Sequence, residues 1–366
     1  MPCGQNCRTR RRPGWRRRPD RSTPATEPSG LPSPAESRMK PRMPHASVTP
    51  AAAAQPEVAR PAPATRRKLR LGLIGAGTWG RNYIATVRRN QDAELAWLAC
   101  KNDDGWQAAG PDCQTTDDWR RLLAAGLDGV IVASPAPLHH AMAAAALEAG
   151  LPVMVEKPLA LTLADAADLA RRAELNGAVL LVDHLLLFHP AFEHLLGLLP
   201  RLGRVQHLAI AGGNRGPFRA DTPPFEDYAP HAFSEALVLA AERPAHVAAR
   251  YLARSDGPEG RGELVEVRLG FPAGGQALIE TGNLMPGKRR ELLLQAERGQ
   301  AQFSDLAAMP LVVNGLALPV ADEPPLDRAV AAFVAAIAGR PHPHLGAGLA
   351  LAIAELMAEC RRQLDG

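Results

Sequence analysis

Four short segments hold the residues whose types and spacing could do chemistry. In Asp227-Tyr228-Ala229-Pro230-His231 a carboxylate and an imidazole stand four residues apart. They share a face if the segment turns as a helix, and Pro230 is expected only within a first turn. A neutral imidazole accepts a hydroxyl proton near pH ~6.5, and a neighbouring carboxylate orients the ring and favours its cation. In Glu156-Lys157-Pro158 the proline keeps Lys157 out of the helical region, so its amine projects from a strand end. Ser134-Pro135-Ala136-Pro137-Leu138-His139 directly follows the apolar run Gly129 to Ala133. Taken singly, these are also an N-cap Asp, an exposed His, a solvated Lys and a proline-stiffened turn; their joint placement at strand ends favours function.

The fourth segment sets the frame for the others. Leu71 to Gly80 reads LGLIGAGTWG, an apolar run turning through Gly75-x-Gly77-x-x-Gly80. A strand that passes through glycines into a helix bares backbone N–H groups at the helix N-terminus, where a pyrophosphate can bind. Gly75 permits the tight turn, Gly77 the close approach of phosphate, and Gly80 the packing of helix on strand. A helix-like stretch (Arg81 to Arg89) and a second strand-like run (Glu94 to Cys100) follow, which points to a dinucleotide site. An acidic residue after that second strand would read the adenine ribose of NAD. Here Lys101 and Asn102 stand there, with Asp103 and Asp104 close behind, so NADP is favoured slightly over NAD.

The elements that must position these groups follow from the pattern. From Leu71 to about Asp183 strand-like and helix-like runs alternate, as in a parallel sheet covered on both faces. Thr162 caps a helix that stops at Asn176-Gly177. After Arg204, runs such as Val205 to Ile210, His246 to Leu252, Leu264 to Phe271 and Glu291 to Ala296 are strand-like and joined without helices, which predicts an antiparallel sheet. Leu326 to Ala338 and Ala347 to Leu364 are helical and expected to pack back on the first unit. The fold class is thus α/β: an N-terminal doubly wound parallel sheet (residues 69–185), then an α/β domain with a large open, mostly antiparallel sheet (186–325), then C-terminal helices (326–366).

Composition narrows the partners. Residues 1–70 carry 16 Lys and Arg against 4 Asp and Glu, a net of +12, whereas the remainder carries 26 against 34, a net of −8. The acidic body argues against nucleic acid as a partner. Residues 1–68 are rich in Arg and Pro with one Trp as their only aromatic, and are expected to be a disordered extension, Met39 and Met43 being later start sites. No apolar run nears the ~20 residues of a membrane span, which suggests a cytoplasmic location. Five cysteines without a CxxC pair suggest neither a metal nor a disulfide framework.

GLIGAGTWG, SPAPLH, EKPLAL and DYAPH, in this order and at these distances, resemble the Gfo/Idh/MocA oxidoreductase family over residues 71–366. The resemblance implies transfer of a hydride between a sugar or cyclitol carbinol and nicotinamide. It implies that Lys157 touches both the nicotinamide ribose and the substrate hydroxyl, that His231 is the general acid/base and that Asp227 is its partner. Cofactor contacts are implied for Gly75, Gly77, Thr78, Trp79, Gly80, Lys101, Asn102, Ser134, Pro135, His139, Glu156 and Lys157. DHLLLFHPAF, NRGPFRAD and PGKRRELLL resemble the branch of 3-dehydrogenases for UDP-N-acetylglucosamine-type substrates. His184, Asn214, Arg215 and Lys288, with Arg289, are then expected to bind a sugar or sugar nucleotide, His184 being also the reserve base. Two departures touch substrate choice: Ala232 where that branch usually has Asp, and Glu226 where Trp often stands. The expected activity is that of an NAD(P)-dependent sugar dehydrogenase that forms a homo-oligomer through its open sheet. The alternatives are a glycosidase using transient oxidation and a non-catalytic cofactor-binding sensor.

Overall fold

The computed structural model describes residues 67–218, 222–258, 260–340, 342 and 346–366. Of the segment expected to be disordered, only Arg67 and Lys68 fall within them, and the rest lies outside the described residues. Arg67 donates two hydrogen bonds to Asp128, at 2.9 and 2.8 Å.

Six strands form an all-parallel sheet: β1 (Leu69–Ile74), β2 (Ala93–Ala99), β3 (Gln114–Thr116), β4 (Gly129–Val132), β5 (Val153–Glu156) and β6 (Leu180–Asp183). Their spatial order is β3-β2-β1-β4-β5-β6, so the winding direction reverses between β1 and β4, and strand C-termini open there into a crevice. Helices α1 (Thr78–Arg89), α2 (Asp103–Ala109), α3 (His139–Glu148) and α4 (Leu163–Leu175) cover the sheet. The strands are apolar on both faces because both are covered. Leu71, Leu73, Ile131, Met154 and Leu181 face one core, and Ile74, Val130, Val132, Val153, Val155 and Val182 the other. α1 starts three residues before the helical pattern suggested, because the glycine turn itself enters the helix.

The chain continues through α5 (Pro190–Leu202), β7 (Val205–Arg215), α6 (Pro224–Ala240), β8 (His246–Gly257), β9 (Gly260–Gly270), β10 (Gln276–Gly282), β11 (Leu284–Ala296), β12 (Gly299–Phe303), β13 (Leu311–Val313), β14 (Leu316–Ala317), α7 (Pro325–Ile337) and α8 (Ala347–Asp365). The second sheet has the order β14-β13-β12-β11-β7-β10-β9-β8. All its neighbours are antiparallel except β7 and β10, which run parallel. That one parallel pair needs a long connection between its strands.

The expectation of strands without helices after Arg204 is corrected by α6, which lies on the inner face of β7, β9 and β10. Its apolar residues point all round, to the sheet on one side and to neighbouring helices on others, so it lacks a one-sided stripe. Pro230 lies well inside α6 rather than in a first turn, and having no N–H it leaves the carbonyl of Glu226 without a helical donor. α7 packs on α1, while α8 touches α4, α6 and β8, so this last helix joins both sheets instead of packing on the first alone. One continuous apolar core runs from Leu71 and Leu73 through Phe188, Phe192, Phe225 and Phe333 to Leu292 on the second sheet. Among the described residues no helix is long and apolar enough to cross a membrane.

Candidate active site

The three glycines of the first turn differ in what they tolerate. Gly75 has φ +102°, and a Cβ on it would lie 2.5 Å from the carbonyl oxygen of Ala133. A Cβ on Gly80 would lie 2.2 Å from the oxygen of Gly75. Gly77 is exposed, and a Cβ there would meet nothing within 4 Å, so packing does not explain it. What its bare backbone provides is approach to the α1 N-terminus, where no side-chain cap and no acidic residue occupy the first turn. Thr78 and Trp79 are exposed beside it. Nearby, the buried hydroxyl oxygen of Ser134 has no hydrogen-bond partner among the described residues. A cradle open to solvent and an unpartnered hydroxyl fit the pyrophosphate and ribose of a dinucleotide.

At the adenine end β2 stops at Ala99, Cys100 is buried and Lys101 is exposed. The side chain of Asn102 is engaged as the N-cap of α2, accepting from the Gly105 amide at 2.7 Å. Asp103 and Asp104 lie in the first turn of α2, and Asp104 forms an exposed ion pair with Arg81 at 3.8 Å.

Two residues expected at the cofactor have side chains that are buried and hydrogen-bonded within the protein. His139 is buried, its Nδ1 lying 2.7 Å from the Pro158 carbonyl and its Nε2 2.8 Å from that of Ser134. It staples the 134–139 loop to the segment after β5; burial lowers the basicity of the ring and the two carbonyls pull it back up. Glu156 is buried as well, and accepts from the Tyr83 hydroxyl at 2.8 Å. Pro135, by contrast, is exposed at the loop. The Lys157–Pro158 peptide is cis.

Lys157, the residue after β5, meets α6 at Asp227. Its ammonium donates to Asp227 Oδ1 at 2.5 Å and to the Asp227 carbonyl at 2.9 Å. The carboxylate expected to orient His231 is therefore engaged by the lysine, and the buried Nδ1 of His231 has no partner among the described residues. Burial pushes His231 well below the usual imidazole range, with the charges of Lys157 and Arg290 and the neighbouring His184 adding to it. Burial likewise takes His184 down to about 3, and both its ring nitrogens are unpartnered. Two neutral imidazoles thus flank one ammonium.

α6 is held in place from behind. Arg361 on α8 grips Glu226, at 2.5 and 2.8 Å, and Glu263 on β9. Glu226, which departs from the resembled motif, has this ion pair as its role, and Ala232 is buried in the core. A cavity of ≈ 410 Å³ lies between residues 158–163 and α8, with His184 and Pro230 on its wall.

The substrate-side expectations divide. Asn214 and Arg215 end β7, half-buried and exposed respectively, and Lys288 is exposed in β11. The pairing of β7 with β11 slips between Leu284 and Arg289, which loops residues 286–288 out of register. Arg289 pairs with Glu280 and Glu291 away from α6, whereas Arg290 pairs with Asp305 at 2.5 Å on the side of His231. Arg290 went unnoticed in the sequence, as did Glu235, one helical turn beyond His231, whose buried carboxyl is pushed up to about 8. The i, i+4 spacing to His231 was a usable signal for Glu235.

Known proteins bear on this arrangement. The family model described as "Oxidoreductase family, NAD-binding Rossmann fold" matches residues 69–184. D-apiose dehydrogenase of Paraburkholderia graminis is 32% identical over 133 residues, 35% of this chain and 36% of that protein. The curated relatives are thus matched over about a third of their length. A solved structure from Magnetospirillum magnetotacticum MS-1, described as a candidate oxidoreductase, is 34% identical with TM-score 0.76, covering 80% of this chain and 100% of that one. UDP-N-acetylglucosamine 3-dehydrogenase GnnA from Acidithiobacillus ferrooxidans shares the fold at TM-score 0.70, with 20% identity over 82% of this chain and 98% of its own. With the phosphate turn, the parallel sheet and the open second sheet all in place, the chain belongs to the Gfo/Idh/MocA oxidoreductase family.

Proposed function

We propose that this protein is an NAD(P)-dependent dehydrogenase acting on a hydroxyl of a sugar or sugar nucleotide. The observation that carries the reading is the convergence of Lys157, Asp227 and the neutral His231 at the strand ends beside the glycine turn. The bound nicotinamide supplies the acceptor for the hydride that leaves the carbinol carbon. His231, neutral and with an unpartnered nitrogen, takes the hydroxyl proton. Lys157 turns from Asp227 to the substrate oxygen and stabilises its developing negative charge. Asp227 holds the lysine before substrate arrives; its role is to position the ammonium rather than the imidazole.

The finer assignments belong to the same reading. His184 and Asn214 line the sugar subsite, Arg215 and Lys288 pair with substrate phosphates, and Lys101 favours NADP over NAD. The exposed Leu278 and Leu293, on the outer face of the second sheet, support a homo-oligomer built through that sheet. Incubating the full chain with either dinucleotide and a panel of sugars and sugar nucleotides, while following the absorbance of the reduced nicotinamide, tests the function. Formation of a keto sugar with reduction of the cofactor is expected. Release of a reducing sugar without net reduction would make the protein a glycosidase. Tight cofactor binding without turnover on any member would make it a sensor.

A further inference from the structure

Tyr83 lies on the buried side of α1, three residues past Gly80, and is fully enclosed. Its hydroxyl oxygen is 2.6 Å from Asp183 Oδ2 and 2.8 Å from Glu156 Oε1. These acids are the last residues of β6 and β5 and face each other in register. A phenol carries one proton and can donate it to one acceptor at a time. If both carboxyls were ionised, one of the two short contacts would set lone pair against lone pair in a dry interior. Both contacts are hydrogen bonds only if one carboxyl keeps its own proton and donates it to the phenol oxygen, while the phenol donates to the other. The electrostatics agree: burial pushes Asp183 up to about 6 and Glu156 well above the carboxylate range, with the charge of Asp183 adding to the latter.

We propose that Tyr83, Glu156 and Asp183 are positioning residues that share one retained proton and one negative charge, and serve as the fixed counter-charge behind the Lys157 ammonium. Lys157 is the next residue after Glu156, and its charge acts on both acids. Asp227 and His231 face it from α6, His184 from the end of β6 and His139 from α3. An imidazole supplies no negative charge in either of its protonation states, so the charge that compensates the ammonium comes from Asp227 and from the cluster. When the ammonium swings from Asp227 to a substrate oxygen it leaves the first. The cluster, bonded across α1, β5 and β6, cannot move with it, so a negative charge stays behind the amine throughout.

The inference rests on reading Lys157 as the working amine, but its test needs neither cofactor nor substrate, so its failure and that of the proposed function are told apart. The full chain is compared with Glu156→Gln, Asp183→Asn and the double variant, with thermal unfolding as the control for folding. Infrared spectroscopy at neutral pH should show the carbonyl stretch of a protonated acid in the wild type that disappears in each single variant; the separate band of Glu235 is assigned with Glu235→Gln. The acetylation rate of Lys157 at fixed pH, read by mass spectrometry against Lys68 and Lys101, should stay within about twofold in the single variants and rise about tenfold in the double one. Each single amide removes a proton site and keeps the charge, and only the pair removes the charge. A rate raised in each single variant about midway to that of the double would mean that both acids are ionised, and an unchanged rate in the double variant would mean that the cluster does not act on Lys157. Either result overturns the proposal. Should the double variant not fold, the infrared band and the two single-variant rates still decide whether one proton is retained.

Discussion

The glycine turn and the proposed catalytic cluster of Lys157, Asp227, His231 and His184 are built in opposite ways. Every group in the turn comes from six consecutive residues, Gly75 to Gly80, whose conformation follows from missing side chains and the start of α1. The cluster draws on the end of β5, the end of β6, the middle of α6 and a slipped register in β11. A local device fails one residue at a time. An assembled one fails through the partners left behind, because a buried charge or donor without its partner costs far more than the contact contributed.

The sharpest contrast is expected at His231. Replacing it with Asn removes the proton acceptor and should lower kcat about 10²- to 10⁴-fold, while dinucleotide affinity, set by the turn, stays at the wild-type value. Lys157→Ala should lose comparable activity. Single-turnover rates and cofactor titration by fluorescence check both. Wild-type turnover in the His231 variant would dissolve the cluster and move attention to His184.

Within the turn, two glycines should behave differently. Gly80→Ala drives a methyl into the backbone of Gly75 and should cost about 1–3 kcal/mol of stability. The methyl of Gly77→Ala meets no protein atom within 4 Å, so its melting temperature should hold while dinucleotide affinity falls. Equal loss of stability in the two would mean that Gly77 has a structural role and that the cradle is misassigned.

This contrast also marks what was legible. The turn, the alternating parallel sheet and both C-terminal helices could be read because each rests on local spacing. α6 was read only as one turn around Asp227 and His231, because prolines interrupt it and apolar residues surround it. Tyr83 gave no signal, since its partners lie 73 and 100 residues away. Arg290 gave no signal either, because the slipped register of β11 against β7 decides which of its neighbouring side chains faces α6, and register slips are not written in composition.

Glu235 tests the assembled region by stability instead of rate. Burial pushes its folded-state carboxyl up to about 8, from about 4.5 in the unfolded chain. Below the lower value both states are protonated and nothing is lost. As pH rises through that interval the unfolded chain ionises first, so the fold is progressively destabilised, and the loss levels off above the upper value. Glu235→Gln should therefore be more stable than wild type at pH 8, by on the order of 4 kcal/mol, and little different at pH 4. Chemical denaturation at the two pH values reads this, and a variant less stable at pH 8 would mean that Glu235 is ionised and paired.

The smallest expected effect returns to the local device, at its adenine end. β2 stops at Ala99, one residue earlier than the sequence pattern suggested, which moves the strand end away from Asp103 and Asp104. Those acids open α2, where the helix N-terminus and, for Asp104, Arg81 engage their charge. Lys101 is exposed between the strand and the helix, and Asn102 is occupied with capping, so the lysine is the residue of this connection available to a 2′-phosphate. A solvent-exposed charge pair of this kind is worth about 1 kcal/mol or less, so the preference for NADP should be modest, about fivefold in kcat/KM. Lys101→Asp should reverse it, since a carboxylate repels the 2′-phosphate and accepts from the ribose hydroxyls. Ionic strength supplies the control: the wild-type preference should shrink as salt screens the pair. A strong wild-type preference for NAD that Lys101→Asp leaves untouched would hand the ribose to Asp103 or Asp104 and make the turn from β2 into α2 the acidic reader after all.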